Sequence, residues 1–151
     1  MSNGISVKKR NGRGIEPLDL EKIHVMVEEA TKGLAGVSAS QVEIQSGIQF
    51  YDGITTGEIQ EILIKSASDL IDLDHPNYQF VAAGLLLFAT RKSIYGRSRD
   101  LPSLEEHIYN CTNIDVYDKE IFDKYSLEEL QKADSYIDHN RDFLFTYAGL
   151  R

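Results

Sequence analysis

Four cations lie close together at the start of the chain, and their pattern favours an anion-binding site. The first 14 residues hold no acidic residue and four basic ones, namely Lys8, Lys9, Arg10 and Arg13. Asn11-Gly12 between them is typical of a tight hairpin turn. Asp19 then marks a helix N-terminus, where free N–H groups and the helix dipole attract negative charge, and Lys22 adds a cation one turn later. The alternative that these residues leave open is a solvated basic terminus.

The glycines of this segment match no known phosphate-binding loop. The chain has no Gly-Lys-Ser or Gly-Lys-Thr sequence, which excludes a Walker A loop. Gly12-Arg13-Gly14 begins like a dinucleotide-binding fingerprint, but the third glycine and the preceding buried strand are missing. Residue types and spacing therefore indicate an anion without saying which one.

Other polar side chains form no catalytic or metal-binding pattern. His24 and Glu28 are one helical turn apart, and because no further ligands occur at matching spacing they predict a surface pair. Ser103 is predicted to cap a helix, and Cys111 to be a small core residue, since the sequence places no histidine to activate its thiol. Residues 139–142 predict a salt-bridged turn. We expect neither catalytic residues nor metal ligands.

Composition excludes several classes of protein. The single cysteine permits neither an intrachain disulfide nor a zinc ribbon, and it suits a reducing compartment such as the cytoplasm. The formal net charge of −8 argues against nucleic acid or a membrane surface as a partner. The longest apolar run, residues 80–89, falls well short of the roughly 20 residues that span a bilayer.

Alternating apolar residues predict a β-hairpin at the start of the chain. Residues 5–9 form its first strand and residues 15–18 its second. Pro17 cannot donate a ladder hydrogen bond, so the second strand is expected at a sheet edge.

Helix signals follow along the rest of the chain. Helices are predicted from Asp19 to Gly33 and from Pro76 to about Tyr95. The polar stretch 97–102 comes next, so we expect one domain at 1–96 and a helical segment at 97–151. Four capping boxes begin helices at 39–51, 56–71, 103–112 and 126–138, and the paired residues are Ser38 with Gln41, Thr55 with Glu58, Ser103 with Glu106, and Ser126 with Glu129.

The order of these motifs resembles that of a known family. Val7-Lys8-Lys9-Arg10-Asn11-Gly12, followed by Glu16 and by Asp19-Leu20-Glu21-Lys22-Ile23, resembles the opening motif of the ATP-cone domain. The full series is similar to the amino-terminal region of the large (α) subunit of class I ribonucleoside-diphosphate reductase, and residues 49–54 and 139–147 narrow it to the class Ia enzymes of enterobacteria and their phages. Further matches come in the same order at Thr55-Thr56-Gly57-Glu58-Ile59, Tyr78-Gln79-Phe80-Val81-Ala82-Ala83, Arg91-Lys92 and Tyr95-Gly96.

The resemblance implies a fold and a set of nucleotide contacts. The fold is mainly α with a small β cap, in which an N-terminal hairpin or small sheet lies over a four-helix bundle and a further helical segment follows. Asp19 stands where close relatives have asparagine, and Gln60 stands where they have histidine. The implied nucleotide contacts are Val7, Lys9, Arg10, Glu16, Asp19, Lys22, Thr56 and Lys92.

The resemblance also implies a regulatory function. The chain is expected to bind ATP or dATP, with Mg²⁺, as allosteric effectors of the reductase. ATP is expected to favour the active arrangement of the large and small subunits, and dATP the inhibited one. The implied partners are the remainder of the large subunit and the radical-generating small subunit, in the cytoplasm of a bacterium, with either a bacterial or a phage gene as the source.

The single cysteine bears on activity as well. Reduction in this family needs a cysteine pair, a thiyl-radical cysteine and a tyrosine pair in a downstream barrel, so this chain alone is not expected to catalyse. The apolar residues 143–150 indicate association with another surface, either as a fragment of the large subunit or as a split-gene product. Two alternatives are a nucleotide-insensitive helical interaction module and a free-standing ATP-cone transcriptional regulator, against which the missing zinc ribbon argues.

Overall fold

Three short strands form a sheet within the part of the chain that the computed structural model describes, which is residues 4–151 apart from the Asn11 side chain. β1 (Ser6–Lys8) lies between β2 (Ile15–Pro17), which is antiparallel to it, and β3 (Ile54–Thr55), which is parallel. Val7 pairs with Glu16 on one side and with Ile54 on the other. The predicted hairpin is confirmed, and the strand that ends in Pro17 lies at an edge, as expected.

The connection between β1 and β2 is one residue longer than predicted, because β1 ends at Lys8 rather than at residue 9. Residues 9–14 separate the strands, and a 3₁₀ turn spans Arg10–Gly12. The Lys9 N–H donates to the Gly14 carbonyl at 3.1 Å and closes the loop. Gly12 and Gly14 have φ angles of +65° and +110°, which favour glycine over residues with a Cβ. The longer loop leaves Lys9, Arg10 and Arg13 exposed at its surface.

Four helices follow at or near the predicted positions: α1 (Leu20–Thr31), α2 (Ala39–Gly47), α3 (Thr56–Asp69) and α4 (Tyr78–Tyr95). α2 ends before the predicted residue 51, because the chain turns after Gly47 with a hydrogen bond from Gln49 N–H to the Ser46 carbonyl at 3.0 Å. Beyond α4 the described α-helices are α5 (Leu104–Asn113), α6 (Glu120–Lys124), α7 (Leu127–Asp134) and α8 (Tyr147–Leu150), and a 3₁₀ helix spans His139–Leu144. α7 likewise ends before the predicted residue 138.

The predicted helix caps are all present, although only two form the complete box. Ser38, Thr55, Ser103 and Ser126 each accept a hydrogen bond from the N–H three residues later. The second bond of the box, in which the backbone N–H of the capping residue donates to a glutamate carboxylate, is made at Thr55 and at Ser126. At Ser38 the Tyr78 hydroxyl intervenes, since it accepts from Ser38 N–H at 3.0 Å and donates to Gln41 Oε1 at 2.9 Å. The polar residues at the start of α2 therefore hold the start of α4 beside α2 through the Tyr78 hydroxyl.

The bundle of α1, α2, α3 and the first part of α4 encloses an apolar core. Gly84 of α4 lies against Ala30 of α1, where a Cβ on Gly84 would be 3.6 Å from the Ala30 Cβ. This close approach lets the most apolar helix of the chain pack directly on α1. The largest fully buried apolar side chains are Val27, Val42, Ile54, Leu63, Val81 and Leu85. The mainly α fold with a small β cap over four helices is confirmed.

The described residues divide into two compact units. The first runs to Phe88 and includes Phe143–Arg151, and the second is Ala89–Asp142. In the first, the Phe88 and Phe143 rings meet edge to face with centroids 5.9 Å apart. The domain boundary between residues 96 and 97 stays a prediction.

The second unit is organised by polar contacts at its helix ends. Asp134 at the end of α7 accepts the Leu104 N–H of α5 at 2.7 Å, and the two helices bury Ile108 and Leu130. Arg91 donates to the Asp142 carboxylate at 2.9 Å and to the His139 carbonyl at 3.0 Å. The predicted salt-bridged turn at residues 139–142 is confirmed.

No helix among the described residues combines the length and the hydropathy needed to cross a bilayer.

Candidate functional site

The basic loop between β1 and β2 is held by an ion pair across the hairpin. The Lys9 ammonium lies 2.8 Å from the Glu16 carboxylate, and both side chains are partly exposed. The antiparallel register places Glu16 opposite Val7, which brings its side chain back beside the end of β1. The hydrogen bond and charge of Lys9 lower the pKa of Glu16 below its usual range. The ion pair thus holds the Lys9 ammonium beside the loop. A bound anion could take the place of the Glu16 carboxylate as its partner.

A second ion pair lies at the N-terminus of α1, just after β2. Asp19 caps this helix, since its carboxylate accepts the Lys22 N–H at 3.2 Å, and the Lys22 ammonium lies 3.4 Å from the same carboxylate. The backbone N–H of Lys22 is the main cause of a lowered pKa at Asp19. The predicted cap is confirmed, and Lys22 is exposed beside the positive end of the helix dipole.

Arg10 reaches from the loop to the first turn of α3. Its Nη2 donates to Gln60 Oε1 at 3.1 Å. The guanidinium also lies over Gly57, where a Cβ would be 3.6 Å from Nε and from Nη2. The basic loop and the start of α3 are therefore neighbours, although 50 residues separate Arg10 from Gln60 along the chain.

The start of α3 is fixed by a network around Glu58. Thr55 caps the helix, and the Glu58 carboxylate accepts both the N–H and the hydroxyl of Thr55, at 2.8 and 2.7 Å. The Tyr51 hydroxyl donates to the same carboxylate at 2.8 Å. These donors lower the pKa of Glu58, and the carboxylate in turn raises the pKa of Tyr51. The network fixes the start of α3, where Thr56, one of the predicted contacts, is the first residue.

The start of β1 makes a further set of polar contacts that sequence patterns did not indicate. Asp52 accepts the N–H of Ser6 at 2.8 Å and also its hydroxyl. These bonds lower the pKa of Asp52, and the charge of Lys8 adds to the effect. The contact joins the segment before β3 to the first strand. Its parts are 46 residues apart, so no local pattern could reveal it.

The residues predicted to contact the nucleotide are divided between the two compact units. The first compact unit contains Val7, Lys9, Arg10, Glu16, Asp19, Lys22 and Thr56, whereas Lys92 is exposed in the last turn of α4, in the second unit. A position of Lys92 beside the others stays a prediction. Val7 is 4% exposed and belongs to the core, so its side chain is not available to a ligand and only its backbone is.

The predicted surface pair of His24 and Glu28 is confirmed and is part of a larger contact. His24 Nε2 lies 3.3 Å from the Glu28 carboxylate, and its Nδ1 lies 2.8 Å from the Glu43 carboxylate on α2. Carboxylates accept hydrogen bonds only, so the two contacts together favour the doubly protonated ring. The Glu43 hydrogen bond accordingly raises the pKa of His24. In the part of the chain that the structure describes, no group of three His, Cys, Asp or Glu residues is arranged to hold a metal ion.

The prediction that no histidine lies beside Cys111 is wrong. His107, one turn earlier on α5, brings Nε2 to 3.6 Å from Sγ. The His107 ring packs against Tyr95 and Tyr117, with centroid distances of 4.9 and 6.0 Å. The i,i+4 spacing was present in the sequence and could have revealed the pair. Cys111 is half-buried rather than a full core residue.

Comparison with protein families identifies the first part of the chain. The ATP cone domain matches residues 5–93, which include the sheet, the basic loop and the bundle. The chain belongs to the ATP-cone family. Its basic loop, the two ion pairs and the start of α3 all lie within the matched residues, so the site described above is part of the ATP cone.

Curated relatives of this ATP-cone chain are similar over nearly all of its length. It is 43% identical over 151 residues to ribonucleoside-diphosphate reductase 1 subunit alpha of Escherichia coli (strain K12), which covers 100% of this chain and 20% of that protein. It is 44% identical over 151 residues to the subunit alpha of Haemophilus influenzae, with the same coverage, and 43% identical over 147 residues to that of Helicobacter pylori (strain ATCC 700392 / 26695), covering 97% of this chain and 18% of the relative. The chain thus spans about a fifth of the length of these relatives, and it matches their N-terminal region.

Proposed function

We propose that this chain is the effector-binding regulatory portion of a ribonucleoside-diphosphate reductase large subunit. The observation that carries the proposal is the position of the basic loop, which lies inside the ATP-cone match and contacts the start of α3 through Arg10. Membership of the ATP-cone family supports a nucleotide as the effector. Similarity over the whole chain to subunit alpha of several bacteria supports the reductase as the regulated enzyme.

The triphosphate is assigned to the cations of the loop and of α1. Lys9 and Lys22 each hold a carboxylate partner, and a triphosphate carries more negative charge than either partner. If phosphate oxygens displaced the carboxylates of Glu16 and Asp19, both ammonium groups would still have a negatively charged partner. Lys92 is expected to supply a further phosphate contact. The ribose and the base could then be contacted by Glu16, Asp19 and Thr56 and by the backbone of Val7.

Mg²⁺ fits this site as a companion of the nucleotide. The described residues hold no preformed cluster of metal ligands, and Mg²⁺ commonly binds through substrate phosphates with one or two carboxylates. Glu16 and Asp19 are the carboxylates that phosphate binding would release from their lysine partners. When bound, the ion would neutralise part of the phosphate charge.

Regulation requires that ATP and dATP differ in their effect, although they differ only by the 2′-hydroxyl. A single polar contact to that hydroxyl is worth about 1 kcal/mol, which corresponds to a several-fold difference in affinity. Each effector can shift the arrangement of the subunits only as far as it binds one arrangement better than the other. We propose that ATP favours the active arrangement and dATP the inhibited one.

The proposed partners are the remainder of the large subunit, encoded with this chain or on a split second chain, and the small subunit. The cytoplasm of a bacterium, with a bacterial or a phage gene, is the proposed setting. Co-expression with the remaining portion of an α subunit, followed by affinity capture, tests the first partner. Capture of the second chain is expected, and a soluble monomer without it would contradict a split subunit.

Calorimetric titration of ATP and dATP into the 151-residue chain tests effector binding. We expect saturable binding of both nucleotides, stronger with Mg²⁺ than with EDTA. If neither nucleotide binds and neither changes the thermal midpoint, the chain is a nucleotide-insensitive interaction module and the proposal is wrong.

A further inference from the structure

Gln60 is a polar residue on a buried position of α3. The residue is only 9% exposed, and its helix neighbours Ile59, Leu63 and Ile64 belong to the apolar core. A buried amide is unfavourable unless its polar atoms find hydrogen-bond partners. The described partner of Gln60 Oε1 is the guanidinium of Arg10, at 3.1 Å. A buried residue of the bundle, Gln60, therefore makes a direct hydrogen bond to Arg10 of the basic loop.

The contact fixes the guanidinium through one of its N–H groups. Arg10 lies across the first turn of α3, over Gly57, and is itself exposed. A guanidinium has five N–H donors in a rigid planar fork, and the bond to Gln60 uses the Nη2 group. The remaining donors keep the geometry that suits two oxygens of a phosphate.

Arg10 differs from the two lysines of the site in the charge of its partner. Lys9 and Lys22 are paired with the carboxylates of Glu16 and Asp19, which cancel their charge until an anion displaces them. Gln60 orients Arg10 with a neutral oxygen, so the full positive charge stays available. Holding a side chain in its bound geometry beforehand lowers the entropy lost on binding.

We infer that Gln60 is a positioning residue that holds Arg10 ready for the phosphates of the effector. This inference rests on the proposed function, and it adds a residue from the core of the bundle that acts through another side chain. A glutamate at this position would hold Arg10 as firmly but would neutralise it. The charge of the partner, and not only its hydrogen bond, is therefore the feature that matters.

A double-mutant cycle with ATP titrations tests the inference. Arg10→Met is expected to weaken ATP binding about tenfold, since it removes a charged hydrogen-bond donor. Gln60→Met, which keeps the length of the side chain, should weaken binding about threefold. In the double variant the loss should equal that of Arg10→Met alone, because Gln60 acts only through Arg10.

Two further variants separate positioning from stability. Gln49→Met is the matched control, since Gln49 bonds the Gln45 carbonyl and the Ser66 hydroxyl at the far end of α2, and it should leave ATP affinity unchanged. Gln60→Glu should bind ATP more weakly than Gln60→Met, although it retains an acceptor for Arg10. A purely structural role predicts the opposite order. If Gln60→Met does not fold, the comparison of Gln60→Glu with the unsubstituted chain gives the same decision.

The outcomes distinguish this inference from the proposed function. No ATP binding by the unsubstituted chain would contradict the proposed function itself. Normal binding by that chain, together with unchanged affinity in Gln60→Met or additive losses in the double variant, would overturn only the role of Gln60.

Discussion

The Lys9 ammonium lies 2.8 Å from the Glu16 carboxylate, across the loop that joins the first two strands. The pair follows from the register, because Glu16 stands opposite Val7 and the chain reaches Lys9 two residues further on. It keeps a cation in place within the residues that match the ATP cone domain. The same arrangement makes the cation available to a stronger anion. Under the proposed function, anion binding at this loop and the stability of the hairpin would therefore depend on the same side chain, Lys9.

Loss of the Thr55 cap should destabilise the chain. Thr55→Ala removes the acceptor of the Glu58 N–H and one donor to the Glu58 carboxylate, so the free energy of unfolding should fall by about 1 kcal/mol. Urea denaturation measures the change. Thr31→Ala is the control, since the Thr31 hydroxyl donates to the Glu28 carbonyl within the last turn of α1, and it should change stability less. Equal effects would contradict the role of the cap.

The contact between Gly84 and Ala30 limits the size of the residue on α4. A Cβ at Gly84 would meet Ala30 at 3.6 Å, an ordinary van der Waals distance. Gly84→Ala should therefore be tolerated, and the better helix propensity of alanine adds up to about 1 kcal/mol of stability. Gly84→Leu should cost about 1–3 kcal/mol through overpacking. Thermal or urea denaturation of both variants measures these changes in stability. A leucine variant as stable as the unsubstituted chain would show that α1 and α4 are not in close contact.

Stability should fall with rising pH through the His24 contact. The Glu43 hydrogen bond and the charges of Glu43, Glu28 and Glu21 raise the pKa of His24. Because the pKa of His24 is higher in the folded state, the protonated ring stabilises the fold. This stabilisation is complete below the pKa of the unfolded state, about 6.5, and is lost as the pH rises through the pKa of the folded state. An NMR titration should show that Glu43→Gln lowers the pKa of His24. An unchanged midpoint would mean that the α1–α2 contact does not form in solution.

Stability should fall in acid through the contact of Asp52. The side chain and N–H of Ser6 lower the pKa of Asp52, so its contribution is present above the unfolded value, about 3.9, and is lost as pH falls through the folded value. Asp52→Asn should lower the thermal midpoint at neutral pH, and the difference from the unsubstituted chain should shrink in acid. Asp69→Asn, at an exposed position on α3, serves as the control. A difference that stays constant with pH would contradict the assignment.

Local signals predicted the hairpin and the helices α1 to α5 and α7, but they did not locate α6 or α8. Ser38, Thr55, Ser103 and Ser126 act within three residues of themselves, so their sequence patterns were sufficient. β3 was not located, because its two residues depend on pairing with Val7 and Lys8, more than 40 residues away. The strands of the hairpin were predicted at residues 5–9 and 15–18, and each is slightly shorter in the structure, at Ser6–Lys8 and Ile15–Pro17.

The site was predicted in part, for the same physical reason. Asp19 and the cations were evident from type and spacing. Their partners were not all evident, because the bond between Arg10 and Gln60 and the network of Tyr51 with Glu58 depend on tertiary packing. Gln60 in particular lies on the apolar face of α3, where a sequence pattern indicates only core.

The central claim, that the basic loop binds the effector phosphates, is tested most directly by titrating ATP into Lys9→Ala. Lys65→Ala is the matched control, because Lys65 pairs with Asp69 on the surface of α3, outside the loop. We expect the dissociation constant for ATP to rise about tenfold in Lys9→Ala, to rise markedly in Lys92→Ala, and to stay unchanged in Lys65→Ala. Equal affinity of Lys9→Ala and the unsubstituted chain would contradict the claim.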